Sequence, residues 1–164
     1  ELDGSVGFAD ARYLSYPKAP NIPAQAGKAT GCKGSNTSST TQDLGGCPLA
    51  FAPRWTASLI PSYSYYIETY GVRATVAMDV LLRDRMYLDS DDNNAEMQPA
   101  TTLINLRTIF GDPDRKWSVV ISAKNLTNRL VLDQYLPQPL ATGNFAAVRT
   151  DYGRVYSANL AYNY

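Results

Sequence analysis

DYGRVYSANLAYNY, residues 151–164, alternates along its whole length. Tyr152, Arg154, Tyr156, Ala158, Leu160, Tyr162 and Tyr164 share one parity; Val155, Ser157, Asn159, Ala161 and Asn163, mostly small or polar, share the other. A period of two sends the two sets to opposite faces of an extended strand. The aromatic end at Tyr164 predicts a strand that finishes in a wall rather than in a frayed tail. A transmembrane β-barrel needs such a strand, with its last ring seated at the membrane interface.

Working backward from this stretch, the chain reads as six strands joined by alternating long and short connections. A strand that begins near Trp117 places Trp117, Val119, Ile121 and Ala123 opposite Ser118, Ser122 and Lys124, with Val120 the exception. Another, near 100–110, sets Ala100, Thr102, Ile104, Leu106 and Phe110 against Asn105 and Arg107. Over 72–83, Val72, Ala74, Val76, Met78, Val80 and Leu82 alternate with Arg73, Thr75, Ala77, Asp79, Leu81 and Arg83. Near 54–67, Trp55, Ala57, Leu59, Tyr63, Tyr65 and Ile67 oppose Thr56, Ser58, Ser62 and Ser64. Pro61 in that run lacks a ladder donor and predicts a bulge or an unpaired spot. The first strand is expected over about 2–16. The segment 17–52, the acidic run 89–94 and the stretch near 133–147 are rich in Pro, Gly, Ser, Thr, Asp or Asn and are expected to be loops. The turns near 68–71 and 111–115 are short. Four of the strands are expected to run about 11–17 residues, against roughly 5–6 in globular proteins. Tilted strands that cross an apolar band of about 25 Å need that length.

Composition narrows the function classes. No run of 18 apolar residues occurs, which excludes a transmembrane helix but not a barrel, whose strands alternate. Twelve Tyr stand against four Phe, and a ring with an apolar body and a wet hydroxyl suits a membrane interface. A Tyr-rich soluble sandwich is the alternative that composition leaves open. Fifteen basic residues balance fifteen acidic ones, and with no basic stripe the chain is not expected to bind nucleic acid. The chain has no histidine, so histidine catalysis and histidine metal ligation are excluded. No catalytic constellation emerges, and neither an enzymatic role nor a cofactor is expected. Cys32 and Cys47 lie in one Gly/Ser/Thr-rich segment. They fit a loop-closing disulfide in an oxidising compartment, contributing about 3 kcal/mol in the chain-entropy model; a reduced pair is the alternative. The chain starts at Glu1, and the expectation is a processed chain or a piece of a longer one.

Three blocks resemble the C-terminal barrel region of TonB-dependent outer-membrane receptors. Ala52-Pro53-Arg54-Trp55-Thr56-Ala57-Ser58-Leu59 resembles the family's entry into a descending barrel strand. Val120-Ile121-Ser122-Ala123-Lys124-Asn125-Leu126-Thr127-Asn128-Arg129 resembles a strand near the barrel's end. The aromatic-ended last strand is the third, with Tyr164 where the family usually has Phe. The cysteine segment is similar to a disulfide-closed extracellular loop of such receptors. The resemblance spans essentially all 164 residues. It implies an all-β chain, an antiparallel up-and-down meander of about six long strands within a 22-stranded transmembrane barrel. It also implies a plug domain absent from residues 1–164, outer-membrane lipid around the wall, and energy for uptake supplied through TonB. The ligand would be a scarce nutrient such as a ferric siderophore.

Within that frame the loops would be extracellular and the C-terminus periplasmic, in the outer membrane of a Gram-negative bacterium. Arg73, Asp79, Arg83, Asn105, Arg107 and Lys124 would face the lumen, lining a wet interior or touching an anionic ligand. Trp55, Trp117, Tyr162 and Tyr164 would form interface belts. Six strands cannot close a barrel by themselves. Self-association through open sheet edges, into an oligomer or filament, is therefore the rival expectation. Asp89, Asp91 and Asp92 are clustered oxygens of the kind hard cations take, but the expectation there is a solvated acidic loop.

Overall fold

The computed structural model describes residues 1–21, 32–33, 41–114, 116–137, 144–148 and 153–163. The molecule is all-β. Its frame is a six-stranded antiparallel sheet of β1 (Leu2–Phe8), β4 (Trp55–Ile67), β5 (Val72–Arg83), β8 (Thr101–Gly111), β9 (Trp117–Lys124) and β12 (Val155–Tyr162), each hydrogen-bonded to the next in that order. This is the expected meander. The sheet is open: among the described residues β1 and β12 each pair on one side only. Two-stranded pairs decorate the long connections: β2 (Ala19–Pro20) with β3 (Thr41–Gln42), β6 (Met86–Tyr87) with β7 (Met97–Gln98), and β10 (Leu132–Pro137) with β11 (Asn144–Val148). The segments 17–52 and 133–147 are thus not plain loops. In the last of these, β10 and β11 pair antiparallel.

Strand one is shorter than expected: it ends at Phe8, and the next residue, Ala9, makes its N–H bond to the Arg54 carbonyl outside the strand. Asp10 binds Arg12 at 2.9 Å and Arg54 at 3.4 Å, and Tyr13 and Tyr16 pack on a small core of Ala19, Leu44 and Cys47. Cys32 and Cys47 form a disulfide across a separation of 15 residues, with Cα atoms 5.6 Å apart. Pro61 produces no bulge. The β4–β5 register is the same on either side, Leu59↔Val80 and Ser62↔Ala77, with the pairs at Ile60 and Pro61 left out, so the proline interrupts the ladder and shifts nothing. The Ser62 N–H points to the other neighbour, donating to the Glu1 carbonyl at 2.9 Å. The turn after β4 is a single 3-10 turn closed by Gly71 in the left-handed region (φ 61°), whose N–H donates to the Glu68 carbonyl. Glycine adopts that conformation without a Cβ penalty.

β9 stops at Lys124, short of the expected length, because Asn125 takes φ 51°. Its N–H then leaves the ladder and donates to Asn105 Oδ1 at 2.9 Å. The Asn125 side chain substitutes for backbone partners: Nδ2 donates to the carbonyls of Arg129 (2.8 Å) and Gly153 (3.2 Å), and Oδ1 accepts from the Arg129 N–H (2.9 Å). Thr127 Oγ1 donates to the Thr102 carbonyl, and Leu126 N–H to the Ile104 carbonyl. One short block thus ties the ends of β8, β9 and β12 together. Asn tolerates the left-handed region better than other non-glycine residues. Asn125→Ala loses both the conformation and the side-chain bonds and is expected to destabilise by about 2 kcal/mol. Asn125→Gly should restore only the backbone part. Urea unfolding midpoints of the two variants that coincide with the parent would refute this role.

Candidate functional site

Cross-strand register decides which side chains meet. Arg73 lies across from Gly111, Asp79 from Asn105, Arg83 from Thr101, and Arg107 from both Ala77 and Ser122. Lys124 lies across from Val155. Directly opposed residues point to the same side, so Arg73, Asp79, Arg83, Asn105, Arg107 and Lys124 all occupy one face. Hydroxyl pairs run across the same face: Ser5 with Ser58 (2.8 Å), Ser64 with Thr75 (2.9 Å) and Ser122 with Ser157 (2.7 Å).

The other face is predominantly apolar, with Thr102 and Thr108 across from Leu82 and Val76. Gly4, Leu59, Val80 and Ile104 form one row, and Tyr65, Ala74, Phe110, Val119 and Leu160 another. Val6, Leu59, Tyr63, Val76, Leu82, Ile121 and Leu160 on this face are exposed. Aromatic side chains mark both ends of the face. At the end carrying the long connections, Phe8 and Trp55 pack with ring centroids 4.5 Å apart, and the Arg54 guanidinium sits over the Phe8 ring. At the end carrying the short turns, Trp117 lies across from Tyr162, with Tyr65 and Phe110 in the adjoining row. Tyr164 lies outside the described residues. Trp55 and Tyr65 are ten residues apart on β4, about 33 Å along the strand and about 25 Å once tilted by roughly 40°.

Two features of the long-connection end were not legible in the sequence. The first is a cleft of about 370 Å³ whose lining includes Arg12, Arg54, Asp84, Arg85, Tyr87 and Met97. Its arginines come from distant parts of the chain with no spacing signal. Arg12 also donates to the Gly46 carbonyl at 3.0 Å, and the arginine beside it holds the Asp10 carboxyl below the usual range.

The second corrects an expectation: the acidic loop is not solvated. Asp91 is 4 % exposed, and Asp92 and Glu96 are fully buried. The β6–β7 pair folds residues 88–96 back on themselves, and Leu88 N–H donates to the Glu96 carbonyl at 3.0 Å. Gln42 Nε2 donates to the Asp91 carbonyl at 2.7 Å, which docks the loop on β3. Asn93 caps the 3-10 turn by accepting from Ala95 N–H, and its Nδ2 donates to Glu96 Oε1. Burial, then the Asp89 charge, pushes the Asp91 carboxyl up to about 6. Burial, then the Asp91 charge, pushes Asp92 up to about 7. Burial, then Asp92, raises the hydroxyls of Tyr13 and Tyr87 as well. The cluster of Asp residues was the available signal; what it lacked was Glu96, brought in by the hairpin.

No family model, no curated protein and no solved structure matches this chain.

Proposed function

We propose that this chain forms the C-terminal part of the barrel wall of a TonB-dependent outer-membrane receptor, carrying a scarce nutrient such as a ferric siderophore. The observation that carries the reading is the sidedness of the sheet. One face is predominantly apolar, with many of its large side chains exposed, and is bounded by aromatic rows about one membrane thickness apart, while every charged strand residue named above lies on the other. A soluble sheet would cover its apolar face with a second layer; lipid covers it here. The polar face then borders the lumen, where Arg73, Arg83, Arg107 and Lys124 meet the plug or an anionic ligand. The arginine-lined cleft at the loop end favours an anionic ligand too. The remaining strands of a 22-stranded wall pair with the edges of β1 and β12, and the C-terminal end lies toward the periplasm.

Fractionation of cells producing the protein tests this. The expected result is recovery in the outer membrane, with gel migration that changes on boiling, as closed barrels show. Recovery as a soluble monomer without detergent would overturn it. The open edges favour a second reading, in which copies of the chain pair edge to edge. Electron micrographs showing filaments or rings of identical subunits would select it.

A further inference from the structure

The cleft at the long-connection end carries positive charge that the fold does not neutralise. Its lining sets three guanidiniums, of Arg12, Arg54 and Arg85, against the carboxylate of Asp84. Asp10, which is not in the lining, serves two of the three. Its Oδ1 accepts from Arg12 Nε at 2.9 Å and lies 3.4 Å from Arg54 Nε. Arg85 forms no ion pair among the described residues, and Asp84 Oδ1 accepts from the Arg85 backbone N–H at 2.8 Å. Three cations against two carboxylates leave one positive charge over, and the carboxylates of the acidic loop are not in the lining. Two of the cations are also held in place. Arg12 Nη1 donates to the Gly46 carbonyl at 3.0 Å, and the Arg54 guanidinium lies 5.8 Å above the centre of the Phe8 ring. A guanidinium anchored through Nε keeps terminal N–H groups for an oxyanion, whose geometry its planar fork matches. The remaining wall is largely apolar, made by Pro48, Leu49, Ala52, Met86 and Met97.

We propose that this cleft binds an amphiphile with a singly charged oxyanion head, the head on Arg12, Arg54 and Arg85 and a short apolar body on Leu49, Met86 and Met97. One negative charge balances the surplus, whereas a doubly charged head overfills it. An inorganic anion without a body would leave the apolar wall in water, at the usual cost of exposed apolar surface. The cleft's volume of about 370 Å³ lies near the low end of small-molecule sites, about 300–1,000 Å³, which suits a head with a short body. The Tyr87 hydroxyl donates to Asn94 Oδ1 at 3.1 Å, so Asn94 Nδ2 remains as a neutral donor beside the cations. Two sources share this chemistry. Phe8 and Trp55 end the apolar face, and Arg54 lies over Phe8, so the phosphodiester of an anionic membrane lipid reaches the cleft from that side. A free carboxylate on a short alkyl chain reaches it from water. The proposal rests on the reading of this cleft as a place for an anion and does not depend on lipid covering the sheet.

Titration calorimetry of the full chain with octanoate is the test, in phosphatidylcholine bilayer discs with protein-free discs as the blank. A chain recovered as a soluble monomer is titrated in water instead, so failure of the barrel reading leaves this test standing. The expected result is saturable heat with a midpoint at or below about 1 mM. Octanamide, which lacks the charge, and acetate, which lacks the chain, should each bind at least about tenfold less well. These comparisons use the unsubstituted protein and do not depend on whether variants fold. Arg85→Gln, at a side chain without an ion-pair partner in the fold, should weaken octanoate about tenfold or more, while Lys116→Gln, at the opposite end of the sheet, leaves it unchanged. Replacing part of the phosphatidylcholine with phosphatidylglycerol separates the sources. Loss of the octanoate heat assigns the cleft to the anionic lipid, and unchanged heat assigns it to a free carboxylate. No saturable octanoate heat up to about 10 mM, equal binding of octanamide, or unaltered affinity in Arg85→Gln would overturn the proposal.

Discussion

Val80→Arg is expected to destabilise the protein in lipid by about 2–4 kcal/mol, while Leu81→Arg, one residue along, costs less than about 1 kcal/mol. Hydrophobicity does not distinguish the two, since Leu is at least as apolar as Val. Facing does. Val80 sits in the apolar row with Leu59 and Ile104, near the middle of the span between the aromatic ends, whereas Leu81 lies across from Ser58 on the polar face. An arginine at position 80 must bring its charge into the hydrocarbon or bend out of it. At position 81 it enters a wet surface that already carries Arg83 and Asp79. Urea unfolding in lipid vesicles measures both, and outer-membrane yield gives a second readout. Equal losses for the two variants would reject the sidedness. A neutral Val80→Arg would reject the lipid.

The acidic loop should loosen as pH rises when divalent cations are removed. Asp91 and Asp92 hold their protons to about 6 and about 7 in the folded loop, against an ordinary 3.8. Between pH 4 and 7 the closed loop therefore binds more protons than the opened one, so its stability falls across that window and levels off above it. Hydrogen exchange at the Leu88 and Glu96 amides, corrected for intrinsic rates, reads it directly. Both donate within the loop, to the Glu96 and Asn93 carbonyls. Protection should drop severalfold or more from pH 5 to pH 8 in chelator, and Asp92→Asn should flatten the profile. Constant protection across that range would mean that these carboxylates are not held out of water.

Much of the frame was legible because its signal is local. Alternation places Val72, Ala74 and Val76 on one face of their strand whatever the rest of the chain does. Gly71 and the Gly111–Pro113 turn mark reversals by backbone chemistry alone. Cys32 and Cys47 were readable as a bridge from spacing and loop composition. Two of the misreadings involve contact between segments far apart in sequence, and the third a local pairing. Strand one ends at Phe8, and beyond it Asp10 lies beside Arg54 from β4's entry. β9 ends at Lys124 because Asn125 finds Asn105 and Gly153. The segment 133–147 becomes a hairpin because its two halves pair.

By itself the sequence determined the strand class, the order of the strands and the two faces of each one, since a period of two needs no partner. It could not determine whether the polar faces of neighbouring strands coincide, because a one-residue slip would turn any of them over. Tertiary structure decided that through the register, which gathers Arg73, Asp79, Arg83, Asn105, Arg107 and Lys124 on one surface. It also decided the fate of the acidic loop. Asp89, Asp91 and Asp92 read as a water-facing run, and only the β6–β7 pairing, docked through Gln42, brings Glu96 beside them and closes the loop over its own charge.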